Sequence, residues 1–267
     1  MDLLRPWLDY LKPFKIADNL YSVGSFGGSS HIIDTGEGLI MLDSGYPQTL
    51  YQVLFNMEKM GLDPKNIKYI VHSHGHYDHL GATKALKELT GAKTFIGAPD
   101  KDYANGKLDL TWAKELGTEY TEFFEPDVLL NDCDIISLGN TKIECVSTPG
   151  HTPGTMSFFF NVTYKNKTYL AGTMGGAGTN TMKSDFLDKY NLPYSCREDF
   201  LKSLEKIIDK PVEIFIGNHA WNNNTLEKLK TLTPQHNPFI NKDDWKTFIE
   251  ECKNKVLALM ENEKPTV

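Results

Sequence analysis

The run His72-Ser73-His74-Gly75-His76-Tyr77-Asp78-His79 decides how this chain is to be read. Its histidines and aspartate crowd together directly after the strand-like segment Ile67-Lys68-Tyr69-Ile70-Val71. Imidazole and carboxylate together suit zinc or a similar divalent metal. His74 and His76 are two positions apart, so in an extended stretch their side chains project to one side and can share an ion. Asp78 and His79 stand where the chain bends into a helix expected over 80–90, and can face a second ion. Gly75 lets the backbone pass close to the metals with no side chain in the way. His72 points opposite to His74 and is expected to pack rather than ligate. The plain alternative, a histidine-rich surface turn without a ligand, would need no distant partners.

Distant partners are present. His151 lies in Thr148-Pro149-Gly150-His151-Thr152-Pro153-Gly154 after the strand-like run 142–146, and His219 lies in Gly217-Asn218-His219 after the apolar run 212–216. Each sits just past an expected strand, where the loops of a layered α/β fold gather into a site. Two three-ligand sets follow: His74, His76 and His151 for one metal, Asp78, His79 and His219 for the other.

With these residues the chain resembles the metallo-β-lactamase superfamily, whose HxHxDH signature reads here from His74 to His79. It is most similar to class B, subclass 3, because both imidazoles of the first set and the Asp-His-His second set are present. The likeness runs from Trp7 and residues 13–20 to His236-Asn237-Pro238-Phe239. It implies an α/β fold, the four-layer αββα sandwich, with residues 1–267 as one domain built from two βα halves. It also implies a hydrolase using two zinc ions, or another divalent metal, on a small-molecule substrate. Two such ions about 3.5–4 Å apart share one water and lower its pKa towards neutrality, which makes a nucleophile without serine or cysteine. Asp78 serves as ligand and proton shuttle. β-Lactam ring opening is the leading expectation. Hydrolysis of a lactone, ester or thioester on the same site is the alternative, and a metal-binding or redox module is the non-enzyme one.

Further positions refine that expectation. Leu42-Asp43-Ser44-Gly45 resembles the superfamily block LxDTG, so Asp43 should orient the ligand loop; a turn or capping role is the plainer reading. Where many superfamily hydrolases read LAGD with a metal-bridging aspartate, this chain has Leu170-Ala171-Gly172-Thr173. The missing carboxylate leaves a more positive centre, which favours an anionic substrate. It also argues against the redox module, which needs bridging carboxylates. Against the β-lactam expectation, Gly175 and Gly176 stand where the subclass places a second serine for the substrate carboxylate; either their backbone N–H groups bind the anion instead, or the substrate is a different one. Asn222, with Asn223 and Asn224, offers rim donors; a solvated loop is the plainer reading. No serine sits in a GxSxG motif, which disfavours a triad hydrolase.

Composition is ordinary and globular, 40% hydrophobic and 24% charged, enough for a sizeable core. A net charge of −7 without a basic tract argues against nucleic acid. No apolar run approaches the ~20 residues of a membrane helix. Met1-Asp2-Leu3-Leu4-Arg5-Pro6-Trp7 has neither the basic nor the apolar region of a signal peptide, so a cytoplasmic protein is expected, periplasmic or secreted if a leader has been removed. Cys133, Cys145, Cys196 and Cys252 are scattered, and Val212 stands where the family has one half of a disulfide, which points to reduced thiols.

The rest of the chain reads as alternating short strands and helices. Strands are expected at 20–23, 31–34, 39–43, 93–96, 134–137, 142–146, 155–160, 167–171 and 212–216. Helices are expected at 49–60, 197–208 and 242–260. Residues 1–20 form an amphipathic leading segment whose Trp7, Leu8, Leu11 and Phe14 should cover one end of the core. The glycine-bearing stretch 25–30 is either a mobile hairpin tip beside the site or a plain turn. Tyr103, Trp112, Tyr120, Phe123 and Phe124 mark an irregular segment, 100–126, that either borders the cleft or packs in the core. His31 and His236 lack ligand-like spacing and read as structural.

Overall fold

Both faces of the central strands are apolar, which is why they read as continuous hydrophobic runs rather than alternating ones. The computed structural model, which describes residues 4–263, shows what covers each face. Strands β1 (Phe14–Ala17), β2 (Leu20–Ser22), β3 (His31–Asp34), β4 (Leu39–Leu42), β5 (Ile67–Val71), β6 (Lys93–Gly97) and β7 (Val128–Leu130) form one sheet in chain order. The first four are an antiparallel meander; β4 to β7 run parallel. The parallel steps need crossovers. Helix α1 (Leu50–Lys59) makes the first, and the short α2 (Tyr77–Leu80) with α3 (Thr83–Thr90) makes the second. Helix α4 (Lys101–Ala104) opens the irregular segment before β7.

The second sheet has the order β12-β11-β10-β9-β8. Strands β8 (Ile135–Leu138), β9 (Thr141–Ser147), β10 (Met156–Tyr164) and β11 (Lys167–Thr173) are antiparallel, and β12 (Ile214–Phe215) joins parallel to β11 after helices α5 (Ser184–Tyr190) and α6 (Cys196–Ile207). Helices α7 (Thr225–Thr231) and α8 (Lys242–Asn262) follow.

Successive strand residues point to opposite faces. Ile33, Ile40 and Val71 therefore meet Phe158, Phe160 and Ile214 between the sheets, while their neighbours Ile32, Met41 and Ile70 pack under α1 and α3. On the second sheet Phe159 and Phe215 turn the other way, onto α6 and α8. The result is the αββα sandwich. Trp245 of α8 is fully buried at that outer layer, donating its indole N–H to Ile207 O at 2.9 Å. Its ring meets Phe159 and Phe215 edge-on at 5.5 and 5.6 Å.

Several expectations change. The leading segment contains strand β1, and of Trp7, Leu8, Leu11 and Phe14 the last two are buried while Trp7 is 38% and Leu8 58% exposed. The helix expected over 80–90 starts earlier and breaks between α2 and α3, so Asp78 and His79 occupy a helical first turn. The 25–30 loop is no mobile tip. It is largely buried, and Ser29 N donates to Asn218 O while Ala220 N donates to Phe26 O. Strand β7 and helices α4, α5 and α7 had no strong periodic signal. The four cysteines are unpaired. Among the described residues no helix is long and apolar enough to cross a membrane.

Candidate active site

The parallel run of β4, β5 and β6 brings three carboxyl-terminal strand ends to one edge. Asp43, the 72–79 run and Asp100 leave from there. On the other sheet β9, β11 and β12 share one direction; Thr173 ends β11, and the loops after β9 and β12 carry His151 and His219. The two edges meet, so residues far apart in sequence face one cleft.

His74 Nε2 and His151 Nε2 each lie 3.1 Å from His76 Nδ1. Asp78 Oδ2 lies 3.2 Å from His79 Nε2 and 3.8 Å from His219 Nε2. Within each trio one ligand atom per residue lies within 4.8 Å of the others. The partners of the opposite ring nitrogens fix the tautomers. His151 Nδ1 donates to Gly178 O at 2.8 Å, and His219 Nδ1 donates to Gly27 O at 2.6 Å. His79 Nδ1 donates to Asp43 Oδ2 at 2.9 Å. His151 Nε2 and His219 Nε2 are thereby left as lone pairs facing the cleft, whereas His79 Nε2 carries a proton that a metal would replace. His79 Nε2 is buried and outside hydrogen-bonding geometry despite the nearby Asp78 oxygen. Five imidazoles and one carboxylate converging at these distances are a donor set that fits a divalent cation.

Electrostatics agree. Burial lowers His74 and His76 well below the usual imidazole range, with the neighbouring imidazoles adding to the effect, and takes His151 and His219 down to about 4. All four are neutral near pH 7, the form that binds metal. Burial also opposes charge on His79, but Asp78 and Asp43 outweigh it and push that imidazole up to about 10. Burial likewise works against the Asp78 carboxylate, yet His79 and His219 hold it below the ordinary range. A metal in the second trio must therefore displace the His79 proton.

The supporting residues are as well built as the ligands. Asp43, at φ 55°, accepts from Ser73 N and Ser73 Oγ at 2.7 Å as well as from His79, and so ties the start of the ligand loop to the His79 ring. His72 is packed away between Phe95 O and Thr83 Oγ1. His31 is buried and His236 exposed, both outside the ligand sets.

Asp100 was not foreseen. Its Oδ2 accepts from Gly75 N at 2.8 Å and Thr152 Oγ1 at 2.6 Å, and its Oδ1 accepts from Gly154 N at 2.7 Å. It clips the loop of His74 and His76 to the loop of His151. Its place just after β6 was the signal available in sequence, since the other site loops follow strands too. Burial pushes its carboxyl up to about 6, against those three donors. Asp100→Asn turns an NH2 towards one of the donors, and is expected to weaken zinc binding at the first trio about 10- to 100-fold, the usual scale for such support. Chelator competition reads this; unchanged affinity would refute the clip.

The cleft has a volume of about 380 Å³. Its walls include Tyr46, Trp112, Trp221, residues 177–180 and, from α8, Phe248, Glu251 and Lys255. Trp221 stacks on His219 at 4.3 Å and 5°. Trp112, held at φ 70°, packs 6.0 Å from the His76 ring. The aromatic segment divides between the two alternatives, for Tyr103, Tyr120 and Phe124 are buried while Trp112 faces the cleft.

Asn222 lines the cleft, but Asn223 is turned inward to Phe215 O and Asn224 starts α7. Thr173, Gly175 and Gly176 do not line it. Gly175 N donates to Ser157 Oγ, and its carbonyl accepts from Asn218. A Cβ on Gly176 would stand 2.4 Å from the His151 ring. These glycines allow close packing behind His151 rather than anion binding, and residues 177–180 reach the cleft instead.

Comparison with known proteins agrees with this geometry. A sequence profile of the metallo-beta-lactamase superfamily matches residues 23–232. The native FEZ-1 metallo-beta-lactamase from Legionella gormanii is 27% identical, with 97% of this chain and 98% of that one covered and a TM-score of 0.88. BJP-1, a subclass B3 metallo-beta-lactamase of Bradyrhizobium japonicum, shares the fold at 22% identity and TM-score 0.83, over 98% and 99% of the two chains. The hydroxyacylglutathione hydrolase GloC of Haemophilus influenzae is 29% identical over 66% of this chain and 77% of its own. With its signature residues drawn into two facing trios, the chain belongs to the metallo-β-lactamase superfamily of metal-dependent hydrolases.

Proposed function

We propose that this protein is a dinuclear zinc hydrolase whose preferred reaction is opening the cyclic amide of an anionic β-lactam. One observation carries the proposal: the two trios contain five imidazoles and a single carboxylate, Asp78. Two divalent ions held there supply a water activated near neutral pH and a polarised carbonyl. Because Asp78 returns only one negative charge, the centre stays strongly positive and attracts an anion. Lys255 on the α8 wall adds a cation, partly offset by Glu251 one turn earlier. Asn222 and Asn180 offer amides, and Trp112 and Trp221 exclude water from two sides. Asp78 doubles in this reading as the group that carries a proton to the departing nitrogen.

The likeness to a hydroxyacylglutathione hydrolase supports a second reading, a thioester or lactone hydrolase on the same six ligands. Zinc-loaded protein should be assayed against an anionic β-lactam, a neutral lactone and a thioester, alongside Thr173→Asp. In superfamily relatives an aspartate at this position bridges the metals, so the variant lowers the positive charge of the centre. An electrostatic loss of ~1 kcal/mol, a quarter of the full Coulomb term at 4 Å, would raise KM for the anionic substrate about fivefold. The neutral lactone should barely respond. Equal loss on both substrates would remove the charge argument, and turnover of the thioester alone would favour the second reading.

A further inference from the structure

A second cavity, of about 270 Å³, shares His76 and His151 with the metal cleft. Its other walls are largely apolar, with Leu110, Pro149, Pro153, Phe186, Leu187 and Leu192. The two spaces meet along an aromatic seam, where Trp112 of the cleft packs on Phe186 of the cavity at 5.1 Å. Of the polar side chains around it, Thr181 is already engaged, donating its hydroxyl to His151 O at 2.7 Å. Asp199 adds a negative charge.

Resting on the function proposed above, we infer that this cavity receives an uncharged apolar side group of the molecule being hydrolysed, a phenyl ring or an alkyl chain of about six carbons. Size fits, since a cavity of ~150 Å³ walled by aliphatic and aromatic side chains already holds a benzene ring. Chemistry fits as well. An unfilled apolar space forfeits dispersion contacts on every wall, and water finds too few partners there to compensate. Asp199 repels a second anionic group, so the charged end of the substrate stays in the cleft, with Lys255 and Asn222. Placement fits because His76 and His151 border both spaces. A carbonyl held at the first trio has its neighbouring substituent within reach of the cavity mouth. The substrate is then an amphiphilic anion, with its carbonyl between a charged end and an apolar one.

Straight-chain carboxylates from acetate to octanoate provide a test that needs no turnover. Calorimetry with zinc-loaded protein should show Kd falling about two- to fourfold per added methylene, in line with burial of one CH2, and levelling near six carbons. Leu110→Trp and Leu192→Trp, both at half-buried positions, put an indole into the cavity and should flatten the series while leaving acetate binding unchanged. A flat series in the wild-type protein would overturn the inference. So would a steep series that survives both tryptophan variants, which would place the tail against Trp112 and Trp221 in the main cleft. A steep, variant-sensitive series without hydrolysis of any carbonyl class would retain the cavity and reject the proposed reaction.

Discussion

His76→Ala and His151→Ala are each expected to empty the first trio and lower kcat/KM by about 10³-fold or more, roughly 4 kcal/mol of barrier. His76 Nδ1 is the atom on which the other two nitrogens converge, at 3.1 Å each. Without it two neutral imidazoles remain, too few to hold zinc against water. His151 is equivalent in effect, because its Nδ1–H to Gly178 O fixes the third lone pair. Elemental analysis after zinc loading, with the fold monitored by circular dichroism, is the measurement. Full metal content and activity in either folded variant would sink the assignment of the trio.

The largest expected effect on stability lies away from the site. Trp245→Ala should destabilise the fold by about 3–5 kcal/mol, the range for removing a large aromatic from a core. The indole touches both Phe159 and Phe215, and its loss also leaves Ile207 O without its donor. For a chain of this size that corresponds to a fall of about 10 °C in Tm. A thermal melt settles it, and a change of only a degree or two would mean that α8 holds the second sheet by other contacts.

What was legible in the sequence follows a physical division. The ligands were readable because metal chemistry restricts residue type, and the 74–79 spacing restricts geometry. The central strands were readable because burial on both faces leaves a run such as Leu39–Leu42 with no polar residue at all. Three kinds of feature were not. Strand β1 hides in a segment whose Lys15 is exposed, so its apolar pattern resembled that of a surface helix. The role of Gly175 and Gly176 depends on what stands behind them, the His151 ring and Met156, which no local pattern shows. Asp100, Trp112 and Lys255 come from three separate elements and carry no motif. Their meaning lies in tertiary neighbours alone.

Each trio draws on both sheets: His74 and His76 are joined by His151 from 75 residues beyond His76, and the Asp78 and His79 pair by His219 from the far end of the second sheet. Seen as polymer physics, metal held by the six side chains would close two long loops that overlap in sequence. Closing a loop grows only slowly more costly with length, so a cross-link at these positions removes a large share of the unfolded chain's freedom. Neither half of the chain holds a complete trio, so no ligand set exists before the sheets dock. Metal capture by a complete trio would therefore be a late event in folding, and the rate at which the chain becomes metal-competent would be a clock for sheet docking.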